Sequence, residues 1–521
     1  MALPIEFITR TRALLGEEYD KLEAALQADV PVSIRINRNK GTKAPSTPQV
    51  GWSETGYYLP ERLSFTFDPL FHAGAYYVQE ASSMFLEQAI RNFVSEPVKC
   101  LDLCAAPGGK STHLLNLLPE GSLLVSNEVI RTRSNILAEN IIKWGNPNNI
   151  VTNNDPEDIG RLTHLFDVIV TDVPCSGEGM FRKDTDSTGE WSVANVNLCA
   201  ARQRRIIHDI WNALKPGGLL IYSTCTYNTE EDEDNIHYII EELGAEALSI
   251  PIRDEWQITG PLRHAHPVYR FFPHKTKGEG FFLAALRKAS GEVDEIIRPK
   301  SKKKKDKGKA APVIPPVVNK WIQEPDSFRM EIFNDTIQAI PSIHYDTWQL
   351  LSTQLRIVSA GIRIGEIKGK DILPAHSLAL STALNKEAFT CAEVRVNMDV
   401  EPNRVLHTSP DTFGPVENIF ISMYPIASAL TDIMATAASP LIFVFCPVLN
   451  NRIAHTIVTG RINNILFVKF NTAATAIAPN ATWESPSPIN EKRFRTSVTP
   501  SSEEHIAIST PTIIAYRTNG Y

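Results

Sequence analysis

Apolar and polar residues first alternate at Val32, Ile34 and Ile36 in the segment PVSIRINRNK. This two-residue period predicts a half-buried strand whose other face carries Arg35. From residue 97 the pattern changes. Five short apolar runs, VKCLDL (98–103), SLLVSN (122–127), NIVTNN (149–154), FDVIVTD (166–172) and GLLIYST (218–224), are separated by stretches of helical character. In one of these, Leu198 to Leu214, the side chains of Ile207, Ile210, Trp211 and Leu214 share a face. Strands and helices in alternation predict an α/β fold with a parallel, doubly wound, Rossmann-like sheet.

Beyond this block the pattern breaks twice. RPKSKKKKDKGKAAPVIPP (298–316) holds eight basic residues against one acid and closes on prolines, so it is a linker without a core of its own. A second globular region starts near Val317, and its segment TWQLLSTQLRIVSAGIRIGEIKGKDILPAHSLALSTAL reads as helix, short strands, then helix. From about Val396 charged residues thin out and only three glycines remain, with isolated runs such as LIFVFC and no clear period. The expected division is therefore 1–92, a small mixed region; 93–290, the sheet; 291–316, the linker; 317–395, a second region; and 396–521, a tail of no readable structure.

Length and composition bound the rest. A chain of 521 residues has room for two to four domains. With 43% hydrophobic and 21% charged residues it is neither mainly disordered nor fibrous. The formal net charge of −7 means that any nucleic-acid binding must come from local basic patches. Seven cysteines are too few and too scattered for a disulfide framework, and no second pair accompanies Cys100 and Cys104 at metal-ligand spacing, so no metal site is expected. The start MALPIEFITRTRALLG lacks the apolar core of a signal peptide, and the longest apolar run, Leu441 to Leu449, is about half a bilayer span. A cytoplasmic protein with no membrane association is expected.

The chemistry begins at LDLCAAPGGKSTHLL (101–115), a strand, a Pro–Gly–Gly turn and a helix start. Such turns at strand ends hold ligands in open α/β sheets, with free N–H donors at the helix N-terminus. The dinucleotide fingerprint G-x-G-x-x-G is absent, and a Walker A reading fails because its first glycine falls on Cys104. Glu128, Asp155 and Asp172 close the next three strands. Together with the glycine turn they outline a nucleoside pocket that suits S-adenosylmethionine better than a dinucleotide. Cys175, in DVPCSGEG (172–179), and Cys225, in YSTCTYNTEEDE (222–233), sit just past the ends of two strands expected to be neighbours. Two thiols opening into one cleft suit cytosine methylation. C5 of cytosine is a poor nucleophile until a thiolate adds at C6 and pushes electron density onto it, which is covalent catalysis by an activated cysteine. Asp172 is placed to hold the N3/N4 edge of the base.

CAAPGGK (104–110), DVPCSGEGMFRK (172–183) and STCTYNTEEDE (223–233), with SIRIN (33–37) and YVQEASSM (77–84), resemble the RNA cytosine-5 methyltransferases of the NOL1/NOP2/Sun family over roughly residues 5–290. The layout ending in GKDILPAHSLALSTAL (369–384) is most similar to the RsmF-type small-subunit rRNA enzymes, which carry a PUA-like module at that end. The resemblance implies that Cys225 attacks C6 and that Cys175 assists release, with Pro174 shaping its loop. It implies that Cys104, Ala105, Ala106, Pro107, Gly108, Gly109 and Lys110 bind S-adenosylmethionine with Glu128, Asp155 and Asp172, and that Arg133 helps on the ribose side. DNA enzymes place their nucleophile in the Pro–Cys motif, whereas a second cysteine in STCT is the RNA pattern. The implied partner is RNA, 16S rRNA or the small ribosomal subunit, with no DNA, and the enzyme is expected to be a monomer. A tRNA methyltransferase of the same mechanism and a non-catalytic rRNA assembly factor are the alternatives. Candidate RNA-backbone contacts are Arg35, Arg38, Lys40, Arg182, Lys183, Arg202, Arg204, Arg205 and the lysine linker. After about Val394 the glycine-containing strands and basic finish of a PUA-like module are missing, which points to a change of reading frame or a joined unrelated segment there.

Overall fold

The computed structural model describes residues 3–291 and 314–389, apart from 64, 66, 67, 185, 334 and 370. It also describes four strand segments further on, Ala392–Val396 paired with Leu441–Phe445, and Phe467–Val468 paired with Ile513–Ile514. The lysine-rich stretch and nearly all of the tail, with the expected change of frame, lie outside the described residues.

The chain opens with helices α1 (Ile5–Leu15) and α2 (Tyr19–Leu26) and an antiparallel sheet of β1 (Val32–Ile36), β2 (Gly56–Leu59) and β3 (Tyr76–Val78) in the order β2-β1-β3. The alternation seen in the sequence does place Ile34 and Ile36 in a core. The polar face of β1 is not open, however. Arg35 is fully buried, because β1 lies over the first turn of a later helix, and its guanidinium donates to Gln79 Oε1 at 2.8 Å and Thr112 Oγ1 at 2.5 Å and stacks on Trp144. It is a structural clamp and not a surface RNA contact. Lys40 is corrected likewise: its ammonium donates to the carbonyls of Ala73 and Lys143, and burial pushes its pKa down to about 7.

After α3 (Pro69–His72) and α4 (Leu86–Phe93) comes the central sheet, built from β4 (Lys99–Asp102), β5 (Leu123–Asn127), β6 (Asn149–Thr152), β7 (Phe166–Asp172), β8 (Leu214–Thr224), β9 (Ala245–Leu248), β10 (Tyr269–Phe271) and β11 (Phe281–Lys288). Its order is β10-β11-β8-β7-β4-β5-β6, with β9 also pairing β11. Strands β4 to β8 run parallel and β11 is antiparallel to β8. Both faces are dry, which explains why the strands read as continuous apolar runs. Cys100, Leu124, Val151, Val170 and Ile221 point into one apolar cluster, and their neighbours Leu101, Val125, Ile150, Ile169 and Leu220 into the other. Each fully buried aliphatic side chain contributes about 1.5–3 kcal/mol. Helices α5 (Gly109–Leu117), α6 (Arg131–Trp144), α7 (Pro156–Gly160), α8 (Ser187–Glu190), α9 (Val193–Ile210) and α10 (Glu233–Leu243) fill the connections. The chain first runs from β4 outward to β6 and then returns to the other side of β4 at β7. Strand order therefore reverses beside β4, where ligands bind in such sheets.

After the linker come β12 (Phe328–Phe333) and β13 (Thr336–Pro341), and then α11 (Tyr345–Gln354), β14 (Ile357–Ala360), β15 (Ile362–Lys368), β16 (Asp371–Pro374) and α12 (His376–Leu380), the expected run of helix, strands and helix. Four of these strands form their own sheet in the order β12-β13-β15-β16. The exception is β14, which pairs antiparallel with β6, Ile357 opposite Thr152 and Ala360 opposite Ile150. Through this pairing the region up to residue 386 falls in one compact unit with the central sheet. Among the described residues, no helix is long and apolar enough to cross a membrane.

Candidate active site

The first wall of the site is the turn between β4 and α5. Its backbone leaves the sheet through Leu103, passes a cis Ala106–Pro107 bond, and reaches Gly108 at φ +118°, a conformation that favours glycine. Side chains of α6 hold the turn from outside: Arg133 Nη2 donates to Ala106 O at 2.9 Å and Asn140 Nδ2 to Pro107 O at 2.8 Å. Ala105 N–H donates to Asn127 O, which ties the turn to the end of β5. The next residue, Glu128, is buried. Its Oε1 accepts from Ile130 N–H and its Oε2 lies 3.5 Å from Arg133, so Arg133 joins the turn to the acid. Asp155 is an exception to the picture of acids converging on one pocket: it is exposed, and its carboxylate caps α7 by accepting from Glu157 N–H.

Lys110 turns away from that wall. Its ammonium sits 2.8 Å from Asp172 Oδ2 and over the Phe281 ring, and although burial opposes its charge, Asp172 more than offsets this and raises its pKa. Asp172 also accepts from Ser223 Oγ at 2.8 Å. Behind them Asp102 is fully buried. Burial lifts its carboxyl to about 7, although Ser111 donates to Oδ2 at 2.6 Å. Its Oδ1 has no partner among the described residues. A buried acceptor left open beside a glycine turn fits a ligand that brings a donor, and the ammonium group of S-adenosylmethionine is such a donor.

The second wall is the pair of loops after β7 and β8, parallel neighbours in the sheet. They bring Cys175 Sγ and Cys225 Sγ to 3.0 Å, a shared-proton contact. That hydrogen bond, then burial, pushes the Cys175 thiol far above its ordinary value. Gly179 N–H donates to Cys225 O at 2.9 Å, and a Cβ at Gly179 would lie 2.6 Å from Gly280 O, so only glycine allows this approach.

Two acids missed in the sequence complete the wall. Glu178 accepts from Trp191 Nε1, Thr226 Oγ1, Tyr227 N and Asn228 N at 2.7–3.0 Å. Glu231 accepts from Ser176 N, Gln203 Nε2 and Asn228 Nδ2 at 2.7–3.0 Å, and burial lifts its carboxyl to about 7. Their sequence signal was only their place inside the two cysteine motifs. Of the remaining basic candidates, Arg182 is withdrawn from the surface into an ion pair with Glu279. Arg204 is half-buried on Asn235, and Arg38 is exposed but paired with Glu54, while Lys183, Arg202 and Arg205 are exposed.

Residues 93–287 match the sequence model of the family described as 16S rRNA methyltransferase RsmB/F, and residues 3–81 that of the N-terminal domain of 16S rRNA methyltransferase RsmF. The ribosomal RNA small subunit methyltransferase F of Aliivibrio fischeri (strain MJ11) is 30% identical over 450 residues, covering 80% of this chain and 92% of that protein. This chain belongs to the RsmB/F methyltransferase family. The enzyme of the same name from Serratia proteamaculans (strain 568) is 33% identical over 305 residues, 55% of this chain and 63% of that one. Among solved structures, PH0851 aligns over 55% of this chain and 66% of its own with a TM-score of 0.50 and 23% identity, a likeness of fold. NSun6 from Pyrococcus horikoshii with SFG aligns over 55% of this chain and 99% of its own at a TM-score of 0.48 and 22% identity. As an RsmB/F member the chain is an S-adenosylmethionine-dependent methyltransferase.

Proposed function

We propose that this enzyme methylates C5 of a cytosine in small-subunit rRNA through a covalent bond between Cys225 Sγ and C6 of the base. The observation that carries the reading is the 3.0 Å contact of the two sulfurs, with Asp172 at the end of β7 paired to Lys110 of α5. When bound, S-adenosylmethionine supplies an electrophilic methyl group. Cys104 to Gly109, Glu128, Arg133 and Asp172 are the residues proposed to surround it, while Lys110, turned to Asp172, and the exposed Asp155 stand outside that set. Asp172 accepts from the N4 amino group of the cytosine, and Lys110, 2.8 Å from Asp172 Oδ2, pairs with that carboxylate. Cys225, as thiolate, adds to C6, and the C5–C6 π electrons move to C5, which takes the methyl as its bond to the sulfonium sulfur breaks and S-adenosylhomocysteine is left. The C5 proton then leaves to a base or to water, the double bond re-forms, and the Cys225 thiolate departs. Cys175 assists that departure by donating its S–H to the leaving sulfur, which is why a thiol that keeps its proton suits the role. A base reached this way must be unstacked, so the target lies in a loop or single strand.

The test incubates wild type, Cys225→Ala and Cys175→Ala with small ribosomal subunits, free 16S rRNA and tRNA, then maps 5-methylcytosine. Cys225→Ala is expected to form no product, and Cys175→Ala to accumulate a protein–RNA adduct. Full activity in Cys225→Ala refutes the mechanism, and methylation of tRNA alone refutes the substrate.

A further inference from the structure

The two cysteine loops are held by each other's carboxylates. Glu178 lies three residues after Cys175, yet its protein partners at 226–228 all follow Cys225. Trp191 adds a fourth donor. Glu231 lies six residues after Cys225, yet it accepts from Ser176 N–H, directly after Cys175, and through Gln203, which also donates to Pro174 O, it fixes the residue before Cys175. Both acids are buried, at 2% and 0% exposure. A carboxylate offers about four acceptor sites and no donor, so it can gather several N–H and O–H groups from a facing loop, whereas an amide offers only one accepting oxygen. Asn228 joins the two acids, giving its N–H to Glu178 and its Nδ2 to Glu231.

We propose that Glu178 and Glu231 are reciprocal positioning residues, a clasp that holds the Cys175 and Cys225 sulfurs at proton-sharing distance while one of them is bonded to the base. Neither acid touches the reacting atoms. Each acts through the loop it grips. The proposal rests on the covalent reading given above, because a fixed sulfur–sulfur distance matters most when Cys225 must leave C6 beside a donor. Without the clasp the loops, joined otherwise by the Gly179 to Cys225 backbone bond, by Ser176 to Thr226 and by the longer bonds Asn228 Nδ2 to Ser176 Oγ and Cys225 N–H to Cys175 Sγ, can drift apart.

The experiment compares full-length wild type with Glu178→Gln, Glu231→Gln and Thr226→Val, the last removing one donor from Glu178. The first readout needs no RNA. Glutathione disulfide oxidises the two thiols to a Cys175–Cys225 disulfide and is itself reduced to two glutathione thiols, and the equilibrium constant reports how well the sulfurs are held together. The second readout is the kcat and KM for RNA with the lifetime of the protein–RNA adduct. Binding of S-adenosylmethionine, whose wall is elsewhere, shows that a variant is folded. The clasp predicts a disulfide equilibrium weaker by about tenfold, a kcat lower on the order of 10²-fold and a longer-lived adduct, at unchanged cofactor affinity. A variant that binds cofactor normally but keeps both the disulfide equilibrium and kcat within about twofold of wild type overturns it. Should Glu→Gln variants lose cofactor binding, Thr226→Val decides by the same two readouts. If wild-type enzyme formed no adduct, the covalent reading would fail while the thiol equilibrium still judged the clasp.

Discussion

Replacing Arg35 by Met keeps an unbranched apolar stem and removes the guanidinium with its charge. The guanidinium makes two short bonds, to Gln79 Oε1 and Thr112 Oγ1, and two longer ones, to the carbonyls of Gly109 and Thr112 at 3.3 and 3.4 Å. Hydrogen bonds to charged groups contribute about 1.5–3 kcal/mol each, so losing the two short ones costs about 3–6 kcal/mol. Part of this is returned, because the cation is fully buried and desolvation lowers its pKa to about 9. A net loss of about 2–4 kcal/mol remains, since Gln79 Oε1 is left without its donor. The acceptors Gly109 and Thr112 belong to the first turn of α5, next to the cofactor turn. The cost should therefore appear both in urea unfolding and as a fall of about tenfold in S-adenosylmethionine affinity by calorimetry, which corresponds to about 1.4 kcal/mol. Arg35→Lys restores charge but not the fork, and should recover less than half of the loss. A Met variant within about 0.5 kcal/mol of wild type, with unchanged affinity, would refute the idea that this residue braces the cofactor wall.

Gly179→Ala forces a methyl against Gly280 and Cys225 backbone, so a destabilisation of about 1–3 kcal/mol and a larger loss of kcat are expected, measured by thermal unfolding and rRNA methylation. Acid sensitivity should depend on His113, which is fully buried 3.2 Å from Glu87; burial lowers its pKa to about 4. As pH falls from about 6.5 to 4 the unfolded chain takes up a proton that the folded one refuses, so stability declines through that window. Asp102 and Glu231, both raised to about 7, act in the opposite sense, so the measurement is the difference in slope between wild type and His113→Asn. An identical slope in the two proteins would rule His113 out.

The five parallel strands were legible because a strand buried on both faces leaves an unmistakable apolar run, and Cys175 and Cys225 because neighbouring parallel strands put their ends together. Arg35, Lys40 and Arg182 were misread for one shared reason. A basic side chain in an alternating or loop segment is solvated by default, and only the packing of distant segments against it, such as α5 over β1 or Glu279 beside Arg182, makes it internal. Glu178 and Glu231 escaped notice for the same cause, since each finds its partners about 50 residues away in sequence. Strand β14 is four residues long, and nothing local says that IVSA belongs to the central sheet.

That last strand sets a timetable for synthesis. Its anchor, Arg356 O, accepts from Asn153 N–H and from Asn154 Nδ2, the latter 202 residues earlier in the chain. At ordinary elongation rates the ribosome needs roughly 10–40 s to travel that far. Throughout that interval Asn149–Thr152 is an open sheet edge on a nascent chain, a template for wrong pairing. A polypeptide cut at the linker never leaves that state. Fragments ending near residue 290 should be shorter-lived and more prone to aggregate than their intact catalytic motifs suggest, and the edge, not the active site, will set their yield.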